Sequence, residues 1–140
     1  MSLKLRLKPE EKVIIGMAVI KNGPKACEFT VENNVPVLRQ KDIMSEEEAS
    51  SPAKRIYFVI QLMYIDADNL ADYHARFWSL AEDIMAAAPS TRQYIAKISG
   101  QVLANSFYQA LKLTRKLIEY EEELLAHVHK PIQDLPECSE

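Results

Sequence analysis

Lys4, Arg6 and Lys8 alternate with Leu3, Leu5 and Leu7 at the front of the 140-residue chain, and Arg39 and Lys41 follow within the stretch NVPVLRQKDI, Asn34–Ile43. Side chains of a strand point alternately to opposite faces, so the first run puts leucines on one face and three cations on the other. In the second run Val35 and Val37 share a strand face and Ile43 is an anchor, with Arg39 and Lys41 between them. Cations placed in this way could form a stripe that tracks phosphates. Arginine can also stack on, or hydrogen-bond to, the splayed bases of single-stranded RNA. Lys4, Arg6, Lys8, Arg39 and Lys41 are therefore the candidate RNA-binding residues. An ordinary wet sheet face has the same composition, and on the residues alone both readings stand.

Other chemistry finds little support. His127 and His129 are two residues apart, and on a helix such a pair points in different directions. The EYEEELL run at Glu119–Leu125 crowds carboxylates at helical spacing, as a solvated helix face does. There is no G-x-S-x-G, no P-loop and no G-x-G-x-x-G. Cys27 and Cys138 are the only cysteines and make neither a disulfide framework nor a metal knuckle. Cys27, in ACEFTV, is expected to be a small buried hydrophobe. The expectation is a protein without catalytic residues, bound metal or cofactor.

The elements that would position the cations fall into two halves. The first 43 residues are written with period two: LKLRLK, a turn at Pro9-Glu10-Glu11, VIIGMAVI, ACEFTV and VPVLR. KNGPK carries Asn-Gly, a short-range hairpin signal, so four or five short strands in an antiparallel meander are expected. The period changes after SEEEASSPAKR. Ser51 followed by Pro52 is an N-cap with proline at the first helical position. Ile56, Val59, Ile60 and Met63 then recur at three- and four-residue spacing. A second helix spans about Asp68 to Ala87, ended by Pro89, with Ser90 placed to cap the next. Thr91 to Val128 is helical almost throughout, with a break at Gly100 or Asn105-Ser106. The fold class is α+β: a small N-terminal antiparallel sheet followed by a bundle of three to four helices. The division is 1–50, 51–130 and a frayed tail over 131–140.

At 48% hydrophobic the chain can bury a core, and no apolar run reaches the length of a membrane span. The N-terminus lacks the apolar core of a secretory signal, so a cytoplasmic protein without membrane contact is expected. The net charge of −3 is unevenly distributed. Residues 1–43 hold eight bases against five acids, and residues 56–140 seven against twelve, which gives +3 and −5. An anionic partner would therefore meet the front and avoid the helices. Tyr73, Phe77 and Trp78 form an aromatic stripe that is either helix-helix core or a groove for a protein partner.

Four blocks carry a family resemblance: MSLKLRLKPEEKVIIGMAVIKNG, VLRQKDIM, SPAKRIYFVIQLMYID and FYQALKLTRKLIEYEEELL. In this order, over about residues 1–128, they closely resemble the FlbT family of flagellar regulators. The resemblance implies a bacterial cytoplasmic protein of flagellum biogenesis that acts after transcription. Such proteins associate with the 5′ untranslated region of flagellin mRNA and typically repress translation or promote decay, although some members activate. The front third is also similar to the translational regulator CsrA. Leu3 to Lys8, the turn at Pro9-Glu10-Glu11 and Val13-Ile14-Ile15-Gly16 follow the opening of that family. Val35-Pro36-Val37-Leu38-Arg39 follows its last strand, Val-x-Val-His-Arg-Glu-Glu-Ile, whose arginine binds the GGA of RNA loops. Leu38 replaces the histidine, the stretch to Ile43 is one residue longer, and Leu7-Lys8 stand where CsrA has two basic residues.

Together these readings imply a post-transcriptional regulator of flagellin synthesis, with the flagellin mRNA leader as nucleic-acid partner. Flagellin or a flagellar accessory chaperone is the expected protein partner. CsrA is a strand-swapped dimer, which implies a homodimer here. The alternative is a protein-only adaptor or secretion chaperone whose β-part merely dimerises.

Overall fold

In the computed structural model, which describes residues 2–129, five short strands precede four helices, the expected α+β class. The strands are β1 (Leu3–Leu7), β2 (Lys12–Ile15), β3 (Ala18–Lys21), β4 (Cys27–Val31) and β5 (Val37–Arg39). The helices are α1 (Pro52–Ile65), α2 (Leu70–Ala87), α3 (Arg92–Leu103) and α4 (Phe107–His129).

All strand pairs are antiparallel, but only β2 and β3 pair in sequence order. One sheet is β1-β4; the other has the order β3-β2-β5. The single tight hairpin turns at Gly16-Met17, where Gly16 sits at φ 62° in a conformation that glycine takes without strain. Asn22-Gly23 turns no hairpin. The Asn22 carboxamide instead donates to the carbonyls of Lys8 (2.7 Å) and Lys25 (2.9 Å), and its oxygen accepts from Gly23 N–H. That side chain ties the end of β1 to the loop before β4, so the chain crosses between sheets where a hairpin was expected. Cys27 opens β4 and is exposed rather than buried, with its thiol 3.3 Å from Asn22 Oδ1.

Strand alternation builds three layers. Leu5 and Leu7 of β1, with Phe29 and Val31 of β4, pack on Val13, Ile15 and Val37 of the larger sheet. The opposite face of that sheet presents Ile14 and Leu38, which join the helical core with Ile56, Ile60 and Leu117. The larger sheet thus lies between the β1-β4 ribbon and the helices, and the apolar core continues across residue 50 without a break.

Helix α1 packs on both α2 and α4, and α3 packs on α4. Ser51 caps α1 as its sequence demands, accepting from Lys54 N–H at 3.3 Å, with Pro52 in the first turn. A second acceptor comes from 70 residues away: the buried Glu121 carboxylate takes the Ser51 hydroxyl and the Ala53 N–H. A carboxylate at this helix end also complements the helix dipole. Because Glu121 meets Ser51 and Arg115 meets Tyr57, α4 runs antiparallel to α1. The break between α3 and α4 falls at Asn105, at φ 60°, one of the two positions expected, while Gly100 stays helical. Ser90 does not cap α3; it lies in the one-turn helix Pro89–Thr91 and accepts the Tyr120 hydroxyl. The tail expected over 131–140 lies outside the described residues.

Candidate nucleic-acid interface

The outer face of the β1-β4 ribbon carries Lys4 and Arg6, pointing away from the core that Leu5 and Leu7 fill. Their side chains are 71% and 80% exposed. Arg6 pairs with Glu28 across the ladder, and the Glu28 carboxylate reaches both cations, Arg6 at 3.2 Å and Lys4 at 3.7 Å. Exposed ion pairs of this kind contribute at most about 1 kcal/mol, so a phosphate can compete for both cations. Lys8 follows the strand and is exposed, with its backbone N–H bonded to Glu11 at 2.8 Å.

Arg39 has a different surrounding. Its register opposite Val13 turns it toward the ribbon. Its guanidinium donates to the Arg6 carbonyl at 2.8 Å and to the Glu11 carboxylate at 3.2 Å, with 38% of the side chain exposed. Arg39 is thus a strut between the two sheets. Lys41 sits in the one-turn helix Gln40–Asp42, exposed, and lines a hollow with Lys8, Pro9, Glu10, Glu11 and Gln40. Of the five candidates, Lys4 and Arg6 share one open face, Lys8 and Lys41 share one hollow, and Arg39 braces the structure between them. Their counter-charges, Glu28 and Glu11, are positions that alternation alone did not flag.

The Glu11 carboxyl is held below the ordinary carboxylate range, first by the Lys8 N–H and then by Arg39. A lowered folded value means that the clamp stabilises fully above the ordinary carboxylate range and is lost as pH falls through that lowered value. Acid unfolding of the wild type is therefore expected to include a Glu11 component. Glu11→Gln should lose less stability between neutral and acid pH, and thermal melts across that range would show identical slopes if the clamp carried no weight.

In the aromatic stripe, Phe77 is wholly buried and belongs to the helical core. Tyr73 is half-buried and donates its hydroxyl to the Asp66 carboxylate at 2.7 Å, which pushes the phenol up, while the Asn69 carboxamide first and then Tyr73 hold the Asp66 carboxyl down. Trp78 is 37% exposed and meets Phe77 edge-on at 5.0 Å. An open groove lies elsewhere, between α1 and α2. Phe58, Val59 and Leu80 form its apolar lining, and Arg55, Arg76 and Glu46 are its charged residues. No cluster of residues suited to hold a metal occurs among the described residues, and no described helix is long and apolar enough to cross a membrane.

The comparisons with known proteins agree with one another. The family model "Flagellar protein FlbT" matches residues 3–125. A probable flagellum biosynthesis repressor protein FlbT 1 of Bradyrhizobium diazoefficiens is 42% identical over 125 residues, covering 89% of this chain and 85% of the relative. The flagellum biosynthesis repressor protein FlbT of Caulobacter vibrioides is 40% identical over 130 residues, covering 91% and 92%. A probable FlbT repressor of Rhodopseudomonas palustris is 39% identical over 126 residues, covering 90% and 99%. No solved structure matches the chain. With the family model and these relatives spanning most of its length, the chain belongs to the FlbT family of flagellar proteins.

Proposed function

We propose that this protein is a post-transcriptional regulator, a repressor, of flagellin synthesis that binds the 5′ untranslated region of flagellin mRNA. The observation that carries the reading is the open cationic face of β1, where Lys4 and Arg6 stand clear of the core. Lys8 and Lys41 add two cations past the strand end, in a hollow that they share with Glu10 and Glu11. Relatives named flagellum biosynthesis repressors supply the regulatory sign. The protein does no chemistry on the RNA; occupancy of the leader is its whole effect. Single-stranded RNA lowers its affinity by about 0.7 in log K per phosphate contact for each tenfold rise in salt. Purified protein should therefore bind a flagellin leader transcript with a salt slope of roughly −3 for four lysine or arginine contacts. A protein that co-purifies with flagellar partners but shows no salt-dependent leader binding would be an adaptor instead.

The groove between α1 and α2 supports a second contact in the same regulator, with a flagellar protein. Its apolar lining and flanking Arg55 and Arg76 suit an acidic amphipathic segment. The homodimer has its own support in β3. This edge strand is exposed along its whole length, and Met17 and Val19 are each 68% exposed. Exposed apolar edge strands pair readily with a second chain. Val19→Lys is expected to shift sedimentation from dimer to monomer without altering the circular dichroism; an unchanged dimer would place the interface elsewhere.

A further inference from the structure

A hollow with more cations than carboxylates lies at the seam between the sheets and the helices. It is lined by Lys41 from the segment after β5, Lys54 from α1 and Arg115 from α4, together with Ile43, Met44, Glu48 and Ser50. These three cations come from parts of the chain up to 74 residues apart. We propose that this hollow seats a phosphate group supplied by the RNA backbone, so that the bound strand continues from the β-part onto the helices. The inference rests on the RNA-binding reading given above and extends it to residues of the helical half.

Three features support it. First, Arg115 is fixed in place before any ligand arrives. Its guanidinium lies 4.8 Å over the Tyr57 ring and donates to the Lys41 carbonyl at 2.8 Å and the Tyr57 hydroxyl at 3.1 Å. Both bonds leave from Nη2, so Nη1 and Nε keep their N–H groups without hydrogen-bond partners among the described residues. The side chain remains 44% exposed. A guanidinium already ordered in this way loses little entropy on gripping a phosphate.

Second, the charge in the hollow is unbalanced. Lys41 and Lys54 make no ion pair among the described residues. The only carboxylate lining it, Glu48, accepts the Ser45 N–H at 2.8 Å within its own turn. Asp42 lies 3.7 Å from Arg115 and offsets part of that one charge. The site does not depend on the end of α1, whose N–H groups are taken by Ser51 and Glu121.

Third, the position is continuous with the other cations. Lys41 lines both this hollow and the one containing Lys8. A strand laid along Lys8 and Lys41 would meet Lys54 and Arg115 next. The acidic total of the helices conceals this, because their exposed carboxylates Glu119, Glu122 and Glu123 are not among the residues lining the hollow.

The test uses the full chain and the flagellin leader transcript, with Lys41→Gln and Lys54→Gln made separately. Each removes a surface charge and should leave the melting curve unchanged. Each is expected to weaken leader binding about five-fold at 0.1 M salt and to flatten the salt slope by about 0.7, the loss of one single-strand phosphate contact. Lys54→Gln decides the hollow: wild-type binding with Lys54→Gln unchanged in affinity and slope overturns it and leaves the RNA-binding reading standing, even if Lys41→Gln binds more weakly, because Lys41 also lines the hollow with Lys8. A second arm titrates inorganic pyrophosphate while backbone amide resonances are followed. Shifts at residues 41, 54 and 115 that disappear in Lys54→Gln support a phosphate seat; their absence overturns it. If the wild type binds no leader, the RNA-binding reading falls and RNA is excluded as the source of the phosphate. The pyrophosphate arm then decides the seat alone.

Discussion

Reversal of Lys4, Arg6 and Lys8 to glutamate is expected to lower affinity for the flagellin leader by about two orders of magnitude or more at 0.1 M salt. The estimate follows from three lost phosphate contacts at about 0.7 in log K each, before any repulsion is added. The salt slope should flatten by about two units in the same experiment. Lys4 and Arg6 project from the solvent face of β1 and Lys8 is exposed just past its end, while Leu5 and Leu7 fill the core from the other face, so the packing is untouched. The fold nevertheless meets a smaller cost. Glu28 bridges Lys4 and Arg6, and like charges across a strand pair cost roughly 0.2–1 kcal/mol each. A melting curve must therefore accompany the binding curve. Glu28→Gln supplies the opposite sign: it frees both cations, and leader binding should tighten with the fold retained. Should the triple reversal fold and keep both affinity and slope, the basic face is only a wet surface, and a partner would have to hold the RNA.

The chain's local chemistry was legible wherever one side chain acts on its own neighbours. Ser51 and Pro52 start α1 at the residues their types dictate. Leu3 to Lys8 alternates as a strand because one leucine face has a core to fill. The order of strand pairing was not legible, because it rests on side chains reaching across the chain. Asn22-Gly23 carries a hairpin signal, yet the Asn22 carboxamide is spent on the carbonyls of Lys8 and Lys25, and β3 and β4 lie in different sheets. Arg39 shows the same limit at the candidate site. Its place on the last strand was readable, but its bonds to the Arg6 carbonyl and Glu11 depend on two sheets meeting face to face. Leu38, which departs from the CsrA pattern, has a plain physical role: it is fully buried in the core shared with the helices. Charge sums over whole segments misled in one respect. The net of −5 over the helical part gives no hint that Lys54 and Arg115 converge with Lys41 in one hollow, since convergence is a property of three elements together.

The helical stripe gives the second large effect, and it separates core from surface within two adjacent residues. Phe77 has no exposed surface and packs among the helices, so it has no face to offer a partner. Phe77→Ala removes a large ring from a close-packed site and should destabilise the fold by about 3–5 kcal/mol. In a domain of this size that corresponds to a fall of roughly 10 °C or more in melting temperature. Trp78 is next in sequence but a helical step of about 100° turns it outward, where 37% of it is exposed. Trp78→Glu forfeits its edge contact with Phe77, worth about 1 kcal/mol, together with the burial of the part of the indole that is not exposed. Trp78→Glu is therefore expected to melt below wild type but well above Phe77→Ala, and its leader binding should be unchanged because Trp78 lies on α2 and lines neither hollow that contains Lys41. If this folded variant loses a flagellar protein in pull-down while retaining RNA, Trp78 is a partner contact. If Trp78→Glu retains the protein partner, the α1-α2 groove is the next surface to test, by charge reversal at its exposed Arg76. Equal destabilisation by the two substitutions would mean that the indole is part of the core despite its exposure, and the assignment of Trp78 to the surface would fail.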